Sequence, residues 1–214
     1  MRRIRVGDFF LGTDEKQAIL RVLDNGRLSE GAITHEFEQL FARYIGTKYC
    51  VATSSGTAAL ICLLTALIHD ERYPRFQRGK KIITSPLTYV ATTNAIILSG
   101  LIPVFADVDP HTFGVLPEKV EEILKEGNPD EFCAILPVHL IGYPCRMDAL
   151  QRIAETNSLV LLEDAAQAHG STFGGRRCGS IGRPGVFILG GRSQAVSDVK
   201  EVCLEEVSAN QPLN

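Results

Sequence analysis

Between Tyr49 and Glu163 the chain repeats one alternation: a short, mainly apolar run without a polar residue at every second position, then a longer stretch with apolar residues three and four apart. The runs are Tyr49-Cys50-Val51-Ala52, Ile82-Ile83-Thr84-Ser85, Ile102 to Asp109, Cys133 to Val138 and Leu159 to Leu162. Non-alternating apolar runs suit strands buried on both faces. Strands that alternate with helices point to a parallel sheet with crossover connections. The expected fold class is therefore α/β, a mainly parallel sheet with flanking helices. No Gly-x-Gly-x-x-Gly follows the first strand, which disfavours a dinucleotide fold. No internal repeat is visible.

The last run ends in two acids and continues as Glu163-Asp164-Ala165-Ala166-Gln167-Ala168-His169-Gly170. Asp164 falls at the carboxyl end of its strand, the edge where open α/β sheets bind ligands. Two readings stay open at this stage: Asp164 holds a ligand together with its neighbours, or it caps the following turn. A similar choice arises at Thr53-Ser54-Ser55-Gly56-Thr57, between the first strand and an apolar helix from Ala58 to about Ile68. Such a turn aims backbone N–H groups, hydroxyls and the positive helix end at one place, which suits a phosphate. Capping by Ser55 or Thr57 is the simpler alternative.

Elsewhere the residues favour packing roles. Thr13-Asp14-Glu15 reads as a cap and acidic first turn of a helix stopped by Asn25-Gly26. Ile33, Phe37, Leu40, Phe41 and Tyr44 mark a second helix ending at Gly46. Residues 69–81 read as a surface loop. Pro103 stands at a strand start and Pro117 at a helix start, where a missing N–H is tolerated. His139 precedes a Gly142-Tyr143-Pro144 turn and reads as a satisfied structural residue.

With 214 residues, 45% hydrophobic and 22% charged, the chain has the composition of an ordered globular protein of one domain or two small ones. A net charge of −3 with both signs interspersed gives no electrostatic case for nucleic acid. No run is long enough to span a membrane, and Met1-Arg2-Arg3-Ile4-Arg5 is not followed by a signal-like apolar stretch, so a cytoplasmic setting is expected. Cys50, Cys62, Cys133, Cys145, Cys178 and Cys203 are scattered without metal-ligand spacing and read as reduced residues.

The octet from Glu163 to Gly170 resembles the signature of the DegT/DnrJ/StrS sugar aminotransferases, which carry pyridoxal phosphate on an aspartate-aminotransferase-like fold. Ser55-Gly56-Thr57-Ala58-Ala59-Leu60 is similar to the family's phosphate cup, and Thr88-Tyr89-Val90-Ala91-Thr92 to its aromatic motif. The likeness covers roughly residues 1 to 187. It implies that Ser55, Gly56 and Thr57 hold the phosphate, Tyr89 stacks on the ring, Asp164 pairs with the ring nitrogen and Gln167 bonds the ring hydroxyl. A paired, protonated nitrogen makes the ring an electron sink.

The likeness then breaks. Gly185-Val186-Phe187 still matches, but the family's serine falls on Ile188 and its cofactor-bearing lysine on Ser193. Serine cannot replace that amine. Lys200, the single lysine downstream, lies outside the motif. Family members are also longer. The expectation is an incomplete large domain over 1–189, a divergent tail over 190–214 with one short helix near Val199 to Val207, and no small carboxyl-terminal domain. Apolar edges near Val186 to Leu189 and along the first helices are expected to lie uncovered. The resemblance implies kinship with aminotransferases acting on nucleotide-linked keto sugars. For this chain it implies at most weak, noncovalent cofactor binding, no turnover, and association with itself or with a full-length subunit. The alternative is a lysine-less cofactor-binding or regulatory module.

Overall fold

The computed structural model of the protein describes residues 12–26, 31–182, 184–188 and 194–197. Two units are distinct, Met1–Phe37 and Glu38–Asn214. In the first, α1 (Thr13–Asp24) has Asp14 and Glu15 in its first turn and buries none of its residues. The capping expectation is corrected here. Gly12 is the N-cap and Thr13 already lies inside the helix, with no side chain bonded to the free N–H groups. Gly26 ends the segment in the left-handed region, φ 67°, which glycine adopts without strain.

The helix α2 (Ala32–Ile45) runs into the second unit, where Glu38, Phe41, Ala42 and Ile45 are buried. Then follow β1 (Cys50–Thr53), α3 (Gly56–His69), β2 (Lys81–Thr84), α4 (Val90–Leu98), β3 (Ile102–Phe105), α5 (Pro117–Glu126), β4 (Phe132–Leu136) and α6 (Met147–Thr156). Two short strands, β5 (Val160–Leu161) and β6 (Glu163–Asp164), share the run that ends in two acids. A hairpin of β7 (Thr172–Phe173) and β8 (Arg176–Arg177) precedes β9 (Gly185–Ile188) and β10 (Gln194–Ser197).

One ladder has the order β3-β2-β4-β5 and is parallel throughout. The other has the order β1-β10-β9-β6. They meet along the Val160–Asp164 run: Leu162 N donates to Ile135 O (2.9 Å), Asp164 N to Pro137 O (2.9 Å) and His139 N to Asp164 O (3.0 Å). The result is one mainly parallel sheet in which β10, among the described strands of this sheet, is the antiparallel one, inserted between β1 and β9.

Successive strand residues point to opposite faces, and the core divides accordingly. Ile82, Ala134 and Leu162 face α3 and α4, where they meet Leu60, Leu63, Leu64, Ala95 and Ile96. Ile83, Ile135 and Leu161 face α5 and α6, where they meet Val120, Leu124, Met147, Leu150 and Ile153. Both faces are covered at β2 and β4, which is why those runs carry no alternation, whereas the edge strand β3 departs from the expectation and leaves Ile102 and Phe105 exposed. Each fully buried Leu or Ile here contributes about 1.5–3 kcal/mol.

Two other expectations are corrected. The strand foreseen over Ile102 to Asp109 stops at Phe105, because its partner β2 ends at Thr84, to whose carbonyl Ala106 N still donates (3.0 Å); Asp109 Oδ1 then collects the N–H groups of His111 (2.7 Å) and Thr112 (3.0 Å) and turns the chain. Val186 and Phe187 are fully buried, not uncovered: β9 is paired on both sides and Phe41 packs edge-on against Phe187, centroids 5.2 Å apart. The segment over 190–214 contributes β10, while the helix foreseen near Val199 to Val207 lies outside the described residues.

Candidate functional site at the carboxyl edge of the sheet

Ser55 follows β1 and is the N-cap of α3. Its backbone is extended and its Oγ accepts from Ala58 N at 3.1 Å. That bond uses a lone pair of the hydroxyl and leaves its proton free to donate. Capping and anion binding are therefore compatible in one side chain. The N–H groups of Gly56 and Thr57, at the first positions of α3, find no acceptor among the described residues, as geometry requires at a helix start.

Tyr89 holds the equivalent place on the next helix. It is the N-cap of α4, makes no capping bond through its side chain, and is 69% exposed. Both helices pack on one face of the sheet through a common core. Their first turns lie beyond the carboxyl ends of β1 and β2.

Asp164 ends β6 and is 4% exposed. Its Oδ2 accepts from Thr92 Oγ1 at 2.7 Å and its Oδ1 from Ala166 N at 3.2 Å. Thr92 lies in the first turn of α4, so this bond ties the Tyr89 segment to Asp164. No lysine or arginine pairs with the carboxylate among the described residues. Burial pushes its pKa above the ordinary carboxylate range, with the Thr92 hydroxyl and the Ala166 N–H pulling the other way.

Gln167 is exposed, and its Oε1 accepts from Ile141 N at 2.7 Å. An N–H donor fixes which end of the amide it faces, so Nε2 is left as the free donor. Ile141 has φ 56°. A β-branched residue seldom takes that conformation, which costs of order 1–3 kcal/mol.

His139 is satisfied inside the protein, as the sequence indicates. Cys145 N donates to its Nδ1 (3.1 Å), which places the ring proton on Nε2, and Nε2 donates to Glu163 Oε2 (2.9 Å). Glu163 has no assigned role at the sequence level, yet its buried carboxylate also accepts from Gly179, Ile181 and Gly182 N–H groups at 2.7, 2.6 and 2.5 Å. Thr92 was missed as well. The signal for it was present, since Thr88 and Thr92 stand four apart and their hydroxyls lie 2.8 Å from each other. Ser193 and Lys200 lie outside the described residues, as does the side chain of Ile188.

The sequence profile of the DegT/DnrJ/EryC1/StrS aminotransferase family matches residues 10–188. The spore coat polysaccharide biosynthesis protein SpsC of Bacillus subtilis is 39% identical over 177 residues, 83% of this chain and 43% of that protein. GDP-perosamine synthase of Caulobacter vibrioides is 35% identical over 186 residues, 86% of this chain and 47% of that one. Among solved structures, the E. coli GDP-4-keto-6-deoxy-D-mannose-3-dehydratase with bound hydrated pyridoxal phosphate superposes with a TM-score of 0.80 at 29% identity, covering 89% of this chain and 49% of that chain. The chain thus spans about half the length of the curated relatives it matches. Its α/β sheet is that of an aspartate-aminotransferase-like large domain, and the chain belongs to the DegT/DnrJ/EryC1/StrS aminotransferase family.

Proposed function

We propose that this chain binds pyridoxal phosphate noncovalently at the edge formed by Ser55, Gly56, Thr57, Tyr89, Asp164 and Gln167, and does not itself transfer an amino group. The observation that carries the reading is Asp164, a buried carboxylate with lone pairs to spare and no lysine or arginine paired with it among the described residues. The donor set fits the cofactor: free N–H groups and a hydroxyl for an anion, an exposed aromatic face for a flat ring, an amide donor for a ring oxygen, and a carboxylate for a cationic nitrogen. When bound, that group supplies an electron sink for a carbanion. Ser55 to Thr57 would orient its phosphate, Tyr89 would cover one face, Gln167 Nε2 would donate to its hydroxyl oxygen, and Asp164 would keep its nitrogen protonated.

The absence of turnover rests on Ser193 and Ile188, which stand where family members carry lysine and serine. The relatives' names support nucleotide-linked keto sugars as the substrate class served by the intact proteins. Residues 1–189 are proposed as the cofactor-binding region and 190–214 as a segment apart from the family pattern. No described helix is long and apolar enough to cross a membrane. A cytoplasmic setting belongs to the same proposal. Titration with pyridoxal phosphate, read by absorbance, tests the reading. A reversible change weakened about tenfold or more in Asp164→Asn supports it; equal binding by both proteins contradicts it.

A second reading is a module that pairs with an intact subunit or with itself. It is favoured by the apolar surface of α4, where Val90, Ile97 and Leu98 are exposed beside Leu87.

A further inference from the structure

We infer that Thr92, backed by Thr88, is the positioning residue of this site: its hydroxyl fixes Oδ2 of Asp164 and so sets how the carboxylate's remaining lone pairs are presented to a cationic partner. The ligand named here rests on the cofactor reading above, but the fixation of Asp164 is a property of the chain alone.

Hydrogen bookkeeping supports the assignment. Thr92 has one hydroxyl proton. When Asp164 is ionised, that proton goes to Oδ2 at 2.7 Å, so the 2.8 Å contact between the threonines must be a donation from Thr88 to Thr92. The two hydroxyls then form a line of dipoles whose positive ends point at the carboxylate. When Asp164 is protonated the line reverses without moving an atom heavier than hydrogen. A valine at 92 would leave buried Oδ2 with no donor among the described residues, and the carboxylate would be held only by Ala166 N, which reaches Oδ1 at a longer 3.2 Å.

Placement supports it too. Thr92 N donates to Tyr89 O at 3.1 Å, so one turn of α4 carries both the aromatic proposed for the ring face and the hydroxyl that sets the carboxylate at its edge. Thr92 is buried, and its hydroxyl serves Asp164 across a separation of 72 residues. The other titratable groups beside Asp164 are Glu163, adjacent in the chain, and His139, whose ring is turned to Glu163. The substitutions below touch neither.

The test follows the Asp164 carboxyl by carbon-13 NMR in protein free of cofactor, its resonance assigned with Asp164→Asn. Thr92→Val is expected to raise its pKa by about one unit and to weaken pyridoxal phosphate about tenfold, and Thr92→Ser to restore both. Thr88→Val, which leaves the Thr92–Asp164 bond in place, should move the carboxyl in the same direction by less, and it carries the test if Thr92→Val does not fold. An Asp164 titration unchanged in either valine variant, or a serine variant that behaves like valine, overturns the inference. If the wild type fails to bind cofactor while the valine variants still move Asp164, the cofactor reading falls and the positioning role stands.

Discussion

Glu163 and Asp164 are neighbours in the chain, both buried, and their carboxylates serve opposite ends. Glu163 is saturated by three backbone N–H groups and His139 and pins the segment around Gly179 to Gly182. Asp164 is held by one hydroxyl and one long N–H contact. Glu163→Gln would aim an amide donor at donors, and should destabilise the protein by about 2–4 kcal/mol in urea unfolding. A change within about 0.5 kcal/mol would refute the structural role. For Asp164 the sign is reversed. Its folded pKa lies above the unfolded value of about 3.9, so the folded state holds more protons and stability falls as pH rises from there through the folded pKa. Unfolding measured between acid and neutral pH should show that slope in the wild type and lose it in Asp164→Asn. At this scale the sequence marks Asp164 as a ligand candidate, by its place at the strand end and by the family motif, but gives Glu163 no role. Their partners come from Thr92 and from Gly179 to Gly182, which only folding brings near.

The elements were legible to different degrees, for reasons of pairing. The runs around Ile82, Ala134 and Leu161 declare themselves because both faces of each strand are buried. Gln194-Ala195-Val196-Ser197 does not, since what makes β10 a strand is its ladder to β1 on one side and β9 on the other. Ala195→Pro should therefore cost about 3 kcal/mol or more, far beyond what its composition indicates, and an unchanged urea midpoint would contradict the pairing. Ser55 was readable both as cap and as anion donor, and the structure shows the cap. Ser55→Ala should lower stability by about 1 kcal/mol without phosphate present. The positive φ of Ile141 and its bond to Gln167 had no sequence signal, because nothing local distinguishes an isoleucine held in that conformation.

Across the whole molecule, the fold class and the family could be read from three motifs and the strand–helix alternation, while the covering of β9 by a strand from 194–197 could not. Exposed Leu87, Val90, Ile97 and Leu98 lead to an expectation of self-association, which sedimentation velocity over a concentration series would reveal as a rising mean mass. Ile97→Lys should suppress it. A mass independent of concentration would count against association. Among the described cysteines, Cys133 and Cys178 should react slowly with thiol reagents, since burial pushes their thiols up to about 12, whereas Cys62 is exposed.

The most direct measurement is borohydride reduction of the protein mixed with pyridoxal phosphate, with the modified residues located by mass spectrometry and amino transfer to a nucleotide-linked keto sugar assayed on the same sample. Cofactor that binds reversibly, no lysine labelled in specific proportion, and no transfer is the predicted result. Stoichiometric labelling of Lys200, with transfer that disappears in Lys200→Ala, would contradict it.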